Sequence, residues 1–281
     1  MFTTLISAGD LAAHLEDPRW IVFDCRHDLA DPTAGARAYA QSHVRGAVHV
    51  SLDGDLSGEK TGRNGRHPLP AAAAFCARMA ERGLRNNMQV VAYDATGGAF
   101  AARLWWMLRW VGNESVAVLD GGWNVWQKAG LPVTADAASI TPGDFRGSPH
   151  DITVDAAFVA AEIGNPRTRL IDARSPDRFR GENETLDPVG GHIPGATNRF
   201  FQCNLGSDGC FKPAAVLKQE FNAMLGNATP AQVVHQCGSG VTACHNLLAM
   251  EVAGLAGSRL FPGSWSEWCS DPQRPVATGA N

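Results

Sequence analysis

Four sequence blocks occur twice in this chain in the same order, and that repetition constrains the fold more than any composition does. WIVFDCR at 20–26 is matched by RLIDARS at 169–175, each a short apolar run closed by an aspartate and, two residues on, an arginine. QSHVRGAVHV at 41–50 is matched by GGHIPGATNR at 190–199. The aspartate-to-histidine spacing is 19 in the first half (Asp24 to His43) and 20 in the second (Asp172 to His192). QVVAYDATGGAFAARLWW at 89–106 is matched by QVVHQCGSGVTACHNLLA at 232–249. LDGGWNVWQKAGLPV at 119–133 and LFPGSWSEWCSDPQRPV at 260–276 close the halves, each with a W-x-x-W pair. Shared composition does not produce four ordered matches, so the chain reads as an internal duplication.

Each half alternates short apolar runs with amphipathic stretches. In the second half the periodicity predicts helices over 155–163, 213–225 and 241–252 and strands over 169–172 and 232–235. Ala215, Leu217, Phe221 and Leu225 are the expected inner face of the middle helix. Strand–helix alternation implies an α/β fold, each domain a parallel sheet flanked by helices. With 281 residues, two domains are expected rather than one. The stretch ADAASITPGDFRGSPHD at 135–151 is rich in Pro, Gly, Ser and Asp. It divides the chain into a first domain over 1–136, a linker over 137–150 and a second domain over 151–281.

Several functional classes are disfavoured. A net charge of −4 offers no basic footprint for nucleic acid. The first residues carry Asp10, Glu16 and Asp17 and lack the basic and apolar regions of a signal peptide. The most apolar stretch, VVAYDATGGAFAARLWWMLRWVG, is interrupted by Asp94, two glycines and Arg103, so no membrane span is expected. The seven cysteines are odd in number and include no CxxC pair, which fits a reducing, cytoplasmic setting and no structural zinc. No phosphate-loop lysine motif or ligand cluster is present, so no metal and no cofactor are expected.

The chemistry concentrates in CGSGVTA at 237–243, which the repeat aligns with DATGGAF at 94–100. Both loops lie between a strand and a helix, where ligand sites of open α/β sheets form. Gly238 and Gly240 let the backbone turn tightly, so successive N–H groups can converge on an anion. A helix starting near Val241 and Thr242 adds its positive end. That field favours the thiolate of Cys237, the form that attacks sulfur, and equally an anionic persulfide on it.

This set of motifs resembles tandem rhodanese-domain sulfurtransferases over nearly the whole chain. CGSGVTA is similar to the loop of the 3-mercaptopyruvate enzymes in that family, whereas the thiosulfate enzymes more often carry basic residues there. GHIPGA and RFRGENE are also family-like. The resemblance implies a non-catalytic first domain, with Asp94 at the cysteine position, and a catalytic second domain in which Cys237 carries sulfur. It implies that Asp53 and His67 are lent by the first domain and form a proton relay with Ser239. It further implies that Arg178 holds a substrate carboxylate beside the loop residues Gly238, Gly240, Val241 and Thr242. The implied partners are a small-molecule sulfur donor and a thiol or cyanide acceptor, a small redox protein among the candidates, with no nucleic acid and no membrane.

Each of these residues also has a plainer reading. Ser239 would cap the helix, His67 would lie on a surface loop, Asp53 would be a turn residue, and Arg178 would pair with Asp172 or Glu182. The mercaptopyruvate enzymes usually carry a second arginine before GHIPG, but here that stretch is ENETLDPVG. Arg199, in ATNRFF, is the candidate to supply the missing charge. Thiosulfate therefore stays open as the donor, and a non-catalytic binding module stays open as a different class. A phosphatase of this fold would need an arginine at the end of the loop, where Ala243 and Cys244 stand instead. His43, His192 and the Asp24–Arg26 and Asp172–Arg174 pairs recur in both halves, one of which lacks the cysteine, and so read as structural.

Overall fold

The strands form where β-branched and aromatic residues run without a break, because both faces of a parallel sheet are covered. The computed structural model describes residues 1–280. In chain order the first half holds β1 (Leu5–Ile6), α1 (Ala8–Ala12), β2 (Trp20–Asp24), α2 (Ala34–Gln41), β3 (His43–Val44), β4 (Val48–His49), α3 (Ala72–Glu81), β5 (Gln89–Tyr93), α4 (Ala101–Trp110), β6 (Val116–Leu119), α5 (Gly122–Lys128) and β7 (Val133–Thr134). The second half holds α6 (Ala156–Ala161), β8 (Arg169–Asp172), α7 (Pro176–Arg180), β9 (Thr197–Asn198), α8 (Ala214–Leu225), β10 (Val233–Gln236), α9 (Ala243–Val252), β11 (Arg259–Leu260) and α10 (Ser264–Trp268).

The first sheet has the parallel order β1-β6-β5-β2-β4 and the second the parallel order β11-β10-β8-β9. Asp24 pairs with Tyr93 and Asp172 with Gln236, so Asp94 and Cys237 each follow directly at the carboxyl end of an inner strand. The two halves share a structural device. Arg26 grips Asp24 and lies 4.4 Å from the Trp123 ring; Arg174 grips Asp172 and lies 4.7 Å from the Trp265 ring. His43 stacks on Tyr39 at 3.7 Å and bonds its carbonyl, as His192 does with Phe179 at 3.8 Å. Recurrence in both halves fits the structural reading of these residues.

The expected helices and strands are present with small shifts at their ends. Asp155 caps α6 by accepting from the Phe158 amide. On α8, Leu217, Phe221 and Leu225 are buried at helical spacing, while Ala215 is exposed. Ala215 precedes Leu217 by two residues, which turns it to the other side of the helix. Each fully buried Leu or Phe on such a face contributes about 1.5–3 kcal/mol.

Two compact units emerge, with memberships that the repeat did not predict. The first comprises Met1–Gly58, Pro70–Asp151 and Ser207–Phe211; the second comprises Glu59–Leu69, Ile152–Gly206 and Lys212–Asn281. The expected linker is not a loose tether. The amides of Gly143, Phe145, Ser148 and His150 bond to carbonyls of Ala80, Leu84, Val111 and Trp110, and Phe145 is buried, so this stretch belongs to the first unit. A polar composition marks a segment that leaves the sheet, but not one that leaves the domain. Among the described residues, no helix is long and apolar enough to cross a membrane.

Candidate active site

Cys237 stands at the end of β10, and the loop 237–242 separates it from α9. The first unit shows what such a loop does with an anion. Asp94 Oδ1 accepts from the amides of Thr96 and Gly98, and Oδ2 accepts from those of Phe100 and Ala101, all at 2.7–2.9 Å. The carboxylate thus fills its own ring of amides. Asp94 and Cys237 are equivalent in three dimensions as in sequence, since the carbonyl of each accepts from a tryptophan amide, Trp123 at 2.8 Å and Trp265 at 3.0 Å. Cys237 therefore brings a thiol to the position where the other unit puts a built-in anion.

The loop is tightly held. Gly240 has φ +75°, and a Cβ there would lie 2.2 Å from the Pro262 carbonyl oxygen, so only glycine fits. The Cys237 amide donates to Ser264 Oγ at 3.1 Å, and that hydroxyl donates to the Phe261 carbonyl at 2.9 Å. Ser264 itself is fully buried at φ +53°. Its counterpart in the first unit is Gly122, at φ +54°. Val241 is buried in the loop and Thr242 occupies the N-cap position of α9 without a side-chain cap bond.

Ser239 does not cap the helix. Its Oγ lies 2.7 Å from His67 Nδ1, and both residues are buried, so His67 is not a surface-loop residue either. His67 reaches this position because the segment 59–69 belongs to the second unit. Gly65, at φ +85°, packs against the Gly263 carbonyl, the Arg66 amide donates to Ser266 Oγ at 3.0 Å, and the Ser266 amide donates to the Gly238 carbonyl at 2.9 Å. Asp53 is half-buried in a turn of the first unit, and its place in a relay rests on the resemblance alone.

Arg178, on α7, pairs with neither Asp172 nor Glu182. It makes a two-pronged bond to Glu184 at 3.0 and 2.9 Å and a longer one to Asp187 at 3.4 Å. A Cβ on Gly238 would lie 3.4 Å from its guanidinium and 2.8 Å from that of Arg66, so two guanidiniums close on one point beside Cys237. Arg199 is committed elsewhere. It bonds Asn204 at 2.8 and 3.0 Å and Glu220 at 2.8 Å, and it lies 4.1 Å from the Phe221 ring, within a buried polar cluster against α8. The guanidinium that accompanies Arg178 beside the loop is that of Arg66, not Arg199. Sequence reading gave no role to Glu184, Asp187 or Ser264, and it took Arg66, with Arg63 and His67, as part of a solvated or substrate-facing loop.

Burial works against the charge on Arg174, yet Asp172, Glu184 and Cys237 outweigh it and hold the guanidinium pKa above its ordinary value. Burial pushes the thiols of Cys25, Cys76, Cys210 and Cys269 up, the last two to about 11, so these four stay protonated at neutral pH. All seven cysteines are free thiols. Among the described residues, no group of three His, Cys, Asp or Glu side chains is arranged to hold a metal ion.

The rhodanese-like domain model matches twice, over residues 7–129 and 155–271, and the chain belongs to the rhodanese family. It is 50% identical over 278 residues, 98% of each chain, to a protein of Pseudomonas aeruginosa named probable 3-mercaptopyruvate sulfurtransferase. It is 34% identical over 242 residues to the thiosulfate sulfurtransferase of Bos taurus, covering 83% of this chain and 79% of the other. The crystal structure of SseA from Escherichia coli, described as a 3-mercaptopyruvate sulfotransferase, superposes with a TM-score of 0.82 at 30% identity, over 94% of this chain and 99% of that one.

Proposed function

We propose that the chain is a sulfurtransferase that takes sulfur from 3-mercaptopyruvate, holds it as a persulfide on Cys237 and passes it to a thiol or to cyanide. The observation that carries this is the grouping around one thiol: Ser239 bonded to His67 at 2.7 Å, and two guanidiniums against Gly238. The family membership and the 50% identical relative point the same way.

In the first step the Cys237 thiolate attacks the sulfur of the donor. The S–S bond forms as the C–S bond breaks, and the electron pair moves to carbon to give the enolate of pyruvate. The proton of the donor thiol is carried by the Ser239–His67 pair to that carbon, and pyruvate leaves. Arg178 holds the donor carboxylate, for which a planar fork of donors is suited. The persulfide, an anion, rests among the amides of the loop. In the second step an acceptor thiolate, such as that of a small redox protein, attacks the outer sulfur, and the Cys237 thiolate is the leaving group. The reaction uses thiols kept reduced, which fits a cytoplasmic setting.

Thiosulfate is the second reading for the donor, kept open by the absence of a further arginine from ENETLDPVG at 182–190. Steady-state rates with the two donors separate them. Mercaptopyruvate is expected to be turned over with the higher kcat/KM, and Cys237→Ser is expected to lose turnover with both donors while keeping the wild-type circular dichroism. A higher kcat/KM with thiosulfate would overturn the assignment of donor, and an active Cys237→Ser would overturn the role of the thiol.

A further inference from the structure

Two guanidiniums that face one point repel each other unless carboxylates hold them. Here Asp187 bridges them, one oxygen bonded to Arg66 and the other 3.4 Å from Arg178, while Glu184 takes Arg178 with both oxygens. The side chains of Glu184 and Asp187 are each 3% exposed, against 27% for Arg66 and 19% for Arg178. The carboxylates are thus sealed behind, and the guanidiniums form the more open surface. Burial pushes Asp187 above the usual carboxylate range even though Arg66 and Arg178 oppose it, and burial likewise works against Glu184, which the Leu186 amide and Arg178 hold below its ordinary value. The subsite therefore pairs two cations with two anions, and any ligand anion competes with Asp187 for Arg66.

We infer that Arg66 is a donor-binding residue and that Asp187 sets donor charge, so that the subsite accepts one carboxylate and disfavours a dianion. This deepens the proposed mercaptopyruvate reaction and rests on the carboxylate-binding role given there to Arg178. A monocarboxylate can share Arg66 and Arg178 while Asp187 keeps its remaining contacts. A dianion such as thiosulfate brings a second negative charge close to a buried carboxylate that cannot move to solvent, and like charges in such a place repel strongly. Lysine cannot replace Arg66 fully, because a point charge does not reach Asp187 and the ligand at once as a fork does.

The test is the KM and kcat of wild type, Arg66→Gln, Arg66→Lys, Arg178→Gln and Asp187→Asn with 3-mercaptopyruvate and with thiosulfate. Arg66→Gln is expected to raise KM for mercaptopyruvate about tenfold or more, with kcat changed far less, and Arg66→Lys to recover part of it. Because Asp187 is then uncompensated, Arg66→Gln should lose thiosulfate turnover more than mercaptopyruvate turnover. Asp187→Asn is expected to raise the ratio of kcat/KM for thiosulfate to that for mercaptopyruvate about tenfold. If Asp187→Asn does not fold, the Arg66→Gln donor ratio, from a side chain at the rim, decides the same point. An unchanged KM in Arg66→Gln beside a raised KM in Arg178→Gln would overturn the role of Arg66 and leave the carboxylate-binding reading intact. An unchanged donor ratio in both Asp187→Asn and Arg66→Gln would overturn the charge selection. A wild-type chain inert to both donors would overturn the inference and the reading beneath it together.

Discussion

Ser264 is an L-residue held at φ +53°, a conformation that costs about 1–2 kcal/mol for any residue with a Cβ. In the first unit Gly122 takes the same turn, and there a Cβ would strike the Asp94 carbonyl oxygen at 2.3 Å. The second unit tolerates the strain because the Ser264 hydroxyl receives the buried Cys237 amide. Ser264→Ala keeps the strain and leaves that amide without its acceptor, so it is expected to destabilise the chain by about 1–3 kcal/mol. Ser264→Gly loses the same bond but relieves the backbone, and should be less destabilised than Ser264→Ala by about 1 kcal/mol. Urea denaturation of the three proteins checks the order; a glycine variant less stable than the alanine one would contradict it. This strain was not legible in the sequence, since GSW differs from GGW by a residue type that gives no sign of positive φ. Arg199 was misread for a related reason. Its place beside a strand end is local information, but the direction of its guanidinium is set by Asn204 and Glu220, which come later in the chain.

Among the elements, β10 carries both the site and a titratable liability. His235 is fully buried, with Nε2 3.1 Å from Met250 Sδ and no partner for Nδ1. Burial, with the charge of Arg199, lowers its pKa from 6.5 to about 3. The unfolded chain then takes up the proton more readily than the folded one. Its contribution is fully present above about pH 6.5 and is lost as the pH falls from there toward 3. Between pH 7 and pH 5, wild type is expected to lose about 2 kcal/mol more stability than His235→Leu. Urea midpoints at the two pH values measure it, and parallel losses would contradict it. The sequence showed β10 as an apolar run and placed His235 within it, but periodicity says nothing about whether a buried imidazole finds partners. At the same element level, the loop of the first unit is already filled: Asp94 satisfies the four amides that an incoming anion would need.

At the scale of the whole molecule, the duplication was legible because both halves must solve the same packing problem. The Asp–Arg pair over a tryptophan ring and the histidine stacked on an aromatic recur in each. Membership of the units was less legible. The repeat assigns 59–69 to the first half, yet that segment belongs to the second unit and brings Arg66 and His67 to the Cys237 loop. Such an exchange depends on contacts like Gly65 against Gly263, which leave no periodic trace. Cys237, Ser239, His67 and Arg178 were read as candidates from loop chemistry and resemblance. Asp187 and Glu184 were not, because each bears on the loop only through its neighbours in space, and Arg66 was read no further than as part of a solvated or substrate-facing loop. The central claim is that Cys237 alone among the seven thiols is set to hold an extra sulfur. Intact-mass and peptide spectrometry after incubation with 3-mercaptopyruvate tests it most directly. The expected result is a gain of one sulfur atom on the peptide bearing Cys237, removed by an acceptor thiol and missing in Cys237→Ser; a sulfur found instead on another cysteine, or on none, would contradict it.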